Sequence, residues 1–214
     1  IIYVPCHRSH IDYLILSYVL YKNGLMLPHI AAGINLNFPI MGPLLRGGGA
    51  FFMRRSFKDN PLYTAIITEY LCQLLARGNS AEYFIEGGRS RTGRALSPKS
   101  GMLAMTFNVL DRMDASRLTF VPVYFGYEKV IESGTYLDEL QGAEKKGESW
   151  LDLLRMTKVL KTQFGQLSVN FGTPINLQQF QRQSPQADAK TLSYYITQRI
   201  NAAAALNPIN LLAS

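Results

Sequence analysis

A chain of 214 residues with 47% hydrophobic and 17% charged residues is too apolar for a disordered tail and long enough to bury one core. Its formal charge of +7, from 22 Lys and Arg against 15 Asp and Glu, favours anionic partners: nucleic acid, phosphorylated small molecules or an acidic lipid surface. Two cysteines, Cys6 and Cys72, exclude a disulfide framework, and no run of about 20 apolar residues is present to cross a bilayer as a helix.

Short apolar runs bounded by turn residues alternate with longer stretches of helical period, the pattern of an α/β domain. Strands are predicted at 1–5, 29–32, 50–53, 81–85, 118–125 and 167–171, and helices at 10–22, 61–76, 101–112, 149–162 and 187–204. Gly24, Gly78 and Gly165 each stand just past a predicted helix, where a left-handed position favours glycine. The charged stretch "QGAEKKGES", 141–149, reads as an exposed connection, so residues 1–214 are expected to form a single domain. The chain starts without Met, inside a strand and without a signal-peptide pattern, and is expected to be a segment of a longer protein.

The first strand runs into "VPCHRSHIDY", residues 4–13, with two histidines, an arginine and an aspartate in six positions. Ser9 and Asp12 match the S-x-x-D signature of a helix start, with Ile11, Leu14, Ile15 and Tyr18 as the expected buried stripe. On a continuous helix His7 and Asp12 would point about 140° apart, so contact between them requires a bend at Arg8 and Ser9. A carboxylate beside an imidazole describes a general base with its orienting partner, although capping alone also explains Asp12. A metal site on His7, His10 and Asp12 is disfavoured, because the only other histidine is His29 and no cysteine pair supports it. Cys6 leaves the strand facing away from His7 and is expected to be a buried structural thiol.

"GGGAFFMRRSF", 47–57, ends a short aromatic strand in Arg54 and Arg55, a surface pair or an anion clamp. "EYFIEGGRSRTGR", 82–94, carries Glu86, Gly87, Gly88, Arg89, Ser90, Arg91 and Thr92 straight after a strand. Glycines let backbone N–H groups approach an anion, while arginine and hydroxyl side chains add charge and donors. Neither a G-K-[ST] ending nor G-x-G-x-x-G is present, so the stretch points to a phosphorylated small molecule rather than a nucleotide. The fourth run, "LTFVPVYFGYE", carries Pro122, where the strand is expected to bend and line the pocket. All of these follow or end strands, and ligands of such sheets gather at the carboxyl ends of strands. The clusters are therefore expected to converge on one site.

In this order and spacing, H-x4-D, "GAFFMRR", "FIEGGRSRTG" and "VPVYFGYE" resemble the four blocks of the glycerolipid acyltransferase family, over roughly residues 4–128. "PHIAAGINLNFP" and "VNFGTPI" resemble its glycerol 3-phosphate branch. The resemblance implies a mixed, largely parallel β-sheet flanked by helices, as in glycerol-3-phosphate acyltransferases. It implies acyl transfer from acyl-CoA or acyl-carrier protein to the sn-1 hydroxyl of glycerol 3-phosphate, the first step of phospholipid synthesis. It further implies peripheral attachment to an acidic phospholipid surface, the cytoplasmic face of the bacterial inner membrane. By position, His7 would be the base and Asp12 its partner, and Arg54, Arg55, Glu86, Gly87, Gly88, Arg89, Ser90 and Arg91 would hold the acceptor. Pro122 would sit beside the acyl donor, and no cofactor or metal would be needed. Dihydroxyacetone phosphate is the alternative acceptor. A non-enzymatic anion-binding module is the rival class, but nucleic-acid docking would spread basic residues along a stripe with aromatics and would not require a His–Asp pair.

Overall fold

The computed structural model describes residues 1–54, 56, 60–109, 118–130 and 165–205. In chain order these form β1 (Ile2–Pro5), α1 (Asp12–Lys22), β2 (His29–Gly33), a 3₁₀ turn (Ile34–Leu36), α2 (Met41–Gly47), β3 (Ala50–Met53) and α3 (Pro61–Ala76). There follow β4 (Ala81–Glu82), α4 (Gly101–Val109), β5 (Thr119–Tyr127), β6 (Leu167–Phe171), β7 (Ile175–Asn176), α5 (Leu177–Gln183) and α6 (Ala189–Ala202). The helix predicted at 149–162 and the connection at 141–149 lie outside the described residues. Among the described residues no helix is long and apolar enough to cross a membrane.

Local chemistry accounts for the well-placed boundaries. Asn60 Oδ1 accepts from Tyr63 N at 2.9 Å with Pro61 at the first helical position, and Gly78, at φ +83°, ends the same helix. Asp188 opens α6 by accepting from Thr191 N at 2.8 Å. Two short helices were not predicted. In α2, "MGPLLRG", proline and glycine hide the turn, and in α5, "LQQFQRQ", only Leu177 and Phe180 are buried.

The strands form one sheet in the order β3-β2-β4-β1-β5-β6, with β7 pairing β5 beyond β6. Neighbours from β3 through β5 are parallel, while β6 and β7 run antiparallel to β5. The carboxyl ends of β1, β2, β3, β4 and β5 therefore share one edge. The chain moves outward through β2 to β3 and returns to β4 and β5, so right-handed crossovers place α1 and the returning helices α3 and α4 on opposite faces. Alternation in the two residues that follow β4 agrees. Tyr83 reaches Thr106 of α4 at 3.1 Å, while Phe84 stacks on His7 beside the start of α1.

As predicted, β5 is one strand through Pro122, and it runs on to Tyr127, pairing with β1 throughout residues 120–123. Proline is tolerated because its own ladder side falls between the β7 partners of residues 119–120 and the β6 partners of 123–127, where Gly172 N donates to Pro122 O at 2.8 Å. Helix α1 starts at Asp12, with Ile11 before it and no side-chain cap, and buries Asp12, Leu16 and Leu20. Leu14 and Tyr18 are 51% and 63% exposed. A helix apolar on nearly every side leaves its rotation undetermined by periodicity, and here the buried carboxylate sets it.

Candidate active site

The chain leaving β1 turns at residues 6–11 before α1 begins, and this bend brings His7 Nδ1 to 3.0 Å from Asp12 Oδ2. The same oxygen accepts from Arg8 N at 2.6 Å and Ser9 N at 2.9 Å, while Oδ1 accepts from Tyr127 OH at 2.5 Å. Asp12 is fully buried, and four donors from two stretches far apart in sequence satisfy it. The capping signature thus operates in one direction, carboxylate back to Ser9 N. The His7 side chain is 19% exposed and stacks on Phe84 at 4.0 Å between ring centroids. With Nδ1–H directed at a carboxylate, Nε2 carries the lone pair that can accept a proton.

The main chain of His7 is held by the third block. Glu86 Oε1 accepts from His7 N at 2.9 Å, and Ser90 N donates to His7 O at 2.8 Å. The second Glu86 oxygen accepts from Leu96 N at 2.8 Å, and Ser90 Oγ donates to Arg94 O at 2.5 Å. Burial pushes the Glu86 carboxyl up, against the two N–H donors and the nearby Arg8. Arg8 closes the frame by donating to Gly93 O and lying over the Tyr124 ring at 5.2 Å. Gly93 and Gly87, at φ +77° and +65°, make the two left-handed turns this loop requires.

Sequence reasoning missed Tyr127 and Glu82. Glu82 is 0% exposed, neither of its oxygens has a hydrogen-bond partner among the described residues, and by alternation it shares a face with Phe84. Burial first, and the Asp12 charge second, hold its carboxyl well above the usual range. A group raised in the folded state contributes stability that is full below its unfolded value and lost as pH rises through the folded one. Glu82→Gln is therefore expected to change stability little near the ordinary carboxylate range and to stabilise the protein increasingly as pH rises above it. Melting temperatures of both proteins from pH 4.5 to 8 check this, and a pH-independent difference would contradict it.

Residues 1–126 match the family model described as acyltransferase. The chain belongs to the acyltransferase family. Residues 136–214 match a second model, described as the glycerol-3-phosphate acyltransferase C-terminal region. The acyltransferase chain is 56% identical over 230 aligned positions to a protein named glycerol-3-phosphate acyltransferase from Pseudomonas syringae pv. syringae, and 54% identical to one of that name from Pseudomonas fluorescens. All of this chain but only 28% of each relative is covered, so it spans just over a quarter of their length. Among solved structures, the 1-acyl-sn-glycerophosphate acyltransferase of Thermotoga maritima superposes with a TM-score of 0.55 at 19% identity, over 96% of this chain and 67% of that one. That likeness supports the mixed, mostly parallel α/β acyltransferase fold.

Within this acyltransferase fold the predicted residues separate into two groups. His7, Asp12, Glu86 and Ser90 are bonded into one cluster, and Arg89 adjoins it, its carbonyl accepting from Arg91 Nη1 at 2.9 Å. Gly87 faces the Lys99 side chain, and a Cβ on Gly88 would meet nothing within 4 Å. Arg54 stands apart at the carboxyl end of β3, three strand spacings or about 14 Å from β1. There its N–H donates to Tyr63 OH at 3.0 Å and its guanidinium lies 5.0 Å from the Tyr63 ring. Arg55 lies outside the described residues. Pro122 is buried against Gly172 beside α6, on the face opposite Asp12. Cys6 is buried, its sulfur accepts from Phe125 N at 3.2 Å, and burial raises its thiol to about 11, so it stays protonated at neutral pH.

Proposed function

We propose that this site transfers a fatty acyl group from a thioester, acyl-CoA or acyl-carrier protein, to the sn-1 hydroxyl of glycerol 3-phosphate. The observation that carries the reading is the His7–Asp12 pair at 3.0 Å, locked at both ends of the His7 peptide unit into the glycine-arginine loop. The shared name of the Pseudomonas relatives supports this acceptor. His7 Nε2 removes the hydroxyl proton as the oxygen adds to the thioester carbonyl, and Asp12 stabilises the resulting imidazolium. Collapse of the tetrahedral adduct breaks the C–S bond, and the thiolate takes the proton from His7. A base of this kind is worth on the order of 10²- to 10⁴-fold, so positioning of the acceptor supplies much of the remainder.

The acceptor phosphate is assigned to Arg89, Arg91 and the backbone of Gly87 and Gly88, with Arg54 and Arg55 as further candidate arginines. Arg54 can take part only by leaving Tyr63 and reaching across two strands. Pro122 supports the fourth block from behind and is assigned no contact with the acyl donor. The single domain is proposed to work at the cytoplasmic face of the inner membrane, where its positive charge meets acidic phospholipid.

An acyl-transfer assay comparing glycerol 3-phosphate, dihydroxyacetone phosphate and a lysophospholipid tests the reading, and preference for either of the latter two would redirect it. Because a Cβ at Gly88 meets open space, Gly88→Ala is expected to leave the melting temperature unchanged. It should raise KM for glycerol 3-phosphate by about tenfold if phosphate approaches that backbone. An unchanged KM would remove Gly88 from the site.

A further inference from the structure

We infer that Tyr127 is a positioning residue of this site: its phenol holds Asp12 against His7 and, through Asp12, favours the neutral, proton-accepting form of the imidazole. The inference rests on the acyl-transfer reading above. Asp12 Oδ2 is shared by His7 Nδ1 and two backbone N–H groups, all from the turn that precedes α1. Donors on one oxygen alone leave the carboxylate plane free to swing about that oxygen. Tyr127 supplies the constraint at Oδ1 from the end of β5, 115 residues away in sequence. At 2.5 Å the contact has the length of a charge-assisted O–H···O⁻ bond, and Asp12, at 0% exposure, has no bulk water to take its place.

Tyr127 is itself held in register. It pairs with Leu167 of β6, and the following Glu128 N donates to Gln166 O at 3.0 Å. The catalytic pair thus draws on the end of β1, the start of α1 and the end of β5.

The phenol bond also has a sign. It is strongest when Asp12 carries undiminished negative charge, which is when His7 is neutral; a proton on His7 draws that charge away from Oδ1. Tyr127 therefore stabilises the neutral imidazole more than the imidazolium, and removing its hydroxyl raises the affinity of His7 for a proton. Among the described residues, titratable groups near the pair include Cys6 and Arg8 from the chain leaving β1, Glu82 and Glu86 from the β4 segment, and Tyr124 from β5 beside Arg8. A change of Tyr127 to Phe leaves all of them in place.

Tyr127→Phe is expected to lower kcat on the order of tenfold with KM for glycerol 3-phosphate unchanged. The acid limb of its kcat–pH profile should move up. Incorporating 3-fluorotyrosine at position 127, a more acidic phenol and stronger donor, should recover most of the kcat lost in the Phe variant and move the limb the other way, which guards against a folding effect of the Phe variant. Wild-type kcat and pH profile in Tyr127→Phe, with His7→Ala inactive alongside, would reject the inference and leave the reading of the site intact. A kcat loss that follows the melting temperature, without movement of the limb in either variant, would make Tyr127 merely structural and also reject it. Full activity of His7→Ala would overturn the underlying reading itself.

Discussion

His7→Ala is expected to lose turnover on the order of 10²- to 10⁴-fold while glycerol 3-phosphate still binds. The two halves of this expectation have separate structural grounds. Loss of the ring removes Nε2, the atom assigned to take the hydroxyl proton, and two neighbouring groups are ill suited to replace it: Cys6 is a buried protonated thiol, and both Glu86 oxygens are engaged by backbone N–H groups. Retention of binding follows because the loop assigned to the phosphate is tied to the peptide unit of residue 7, not to its side chain. Glu86 holds His7 N and Ser90 holds His7 O, and alanine preserves both bonds. Calorimetric titration with glycerol 3-phosphate alongside a turnover assay separates the effects. A folded His7→Ala protein that turns over at the wild-type rate would end the general-base mechanism.

Much of this geometry was legible from residue order. Parallel strands buried on both faces leave short apolar runs, and "IIYV", "AFFM" and "LTFVPVYF" were each recognisable without knowing their neighbours. Placing each block at a strand's carboxyl end led to the expectation of convergence, and the first and third blocks do meet, where His7 N donates to Glu86 Oε1 and Ser90 N donates to His7 O. Other features depended on three-dimensional pairing that no local pattern encodes. Tyr127 lies six residues past Val121 on the same face of β5, and only the β1–β5 register aims it at Asp12. Glu82 reads as an ordinary polar residue opening an apolar run, yet β4 is flanked by β1 and β2 and covered by α1, which leaves its carboxyl dry. The rotation of α1 was misjudged for a related reason: its outer Leu14 and Tyr18 are as apolar as its inner Leu16 and Leu20. Arg54 was grouped with the site by its chemistry, whereas the strand order sets it at the sheet's edge against Tyr63.

The same packing gives the site an uneven charge distribution that net charge conceals. Three carboxyl groups, those of Asp12, Glu82 and Glu86, lie beneath or beside one imidazole in a chain of formal charge +7. Burial biases Glu82 and Glu86 toward their protonated forms, while Asp12 receives four hydrogen bonds, two of them from backbone N–H. Asp12 is thereby singled out as the counter-charge for His7.

Asp12→Asn tests that assignment with little change of shape. An amide offers one acceptor and one NH₂ donor where the carboxylate offered two acceptors. Its carbonyl oxygen will take the Oδ2 position, because Arg8 N, Ser9 N and His7 Nδ1 all donate there, and the NH₂ then faces Tyr127, whose hydroxyl can rotate to accept. The turn and the His7 tautomer survive, so the stability loss should stay near 1–3 kcal/mol, the worth of exchanging charged hydrogen bonds for neutral ones. Turnover, by contrast, should fall on the order of 10²-fold or more, since the imidazolium formed in the transition state loses its counter-charge. Without that negative charge the imidazole binds a proton less readily, and the acid limb of the kcat–pH profile should move down. This is opposite to the shift expected for Tyr127→Phe, so general loosening of the site cannot account for both. An Asp12→Asn protein with wild-type turnover and an unmoved limb would reduce Asp12 to an anchor for the start of α1.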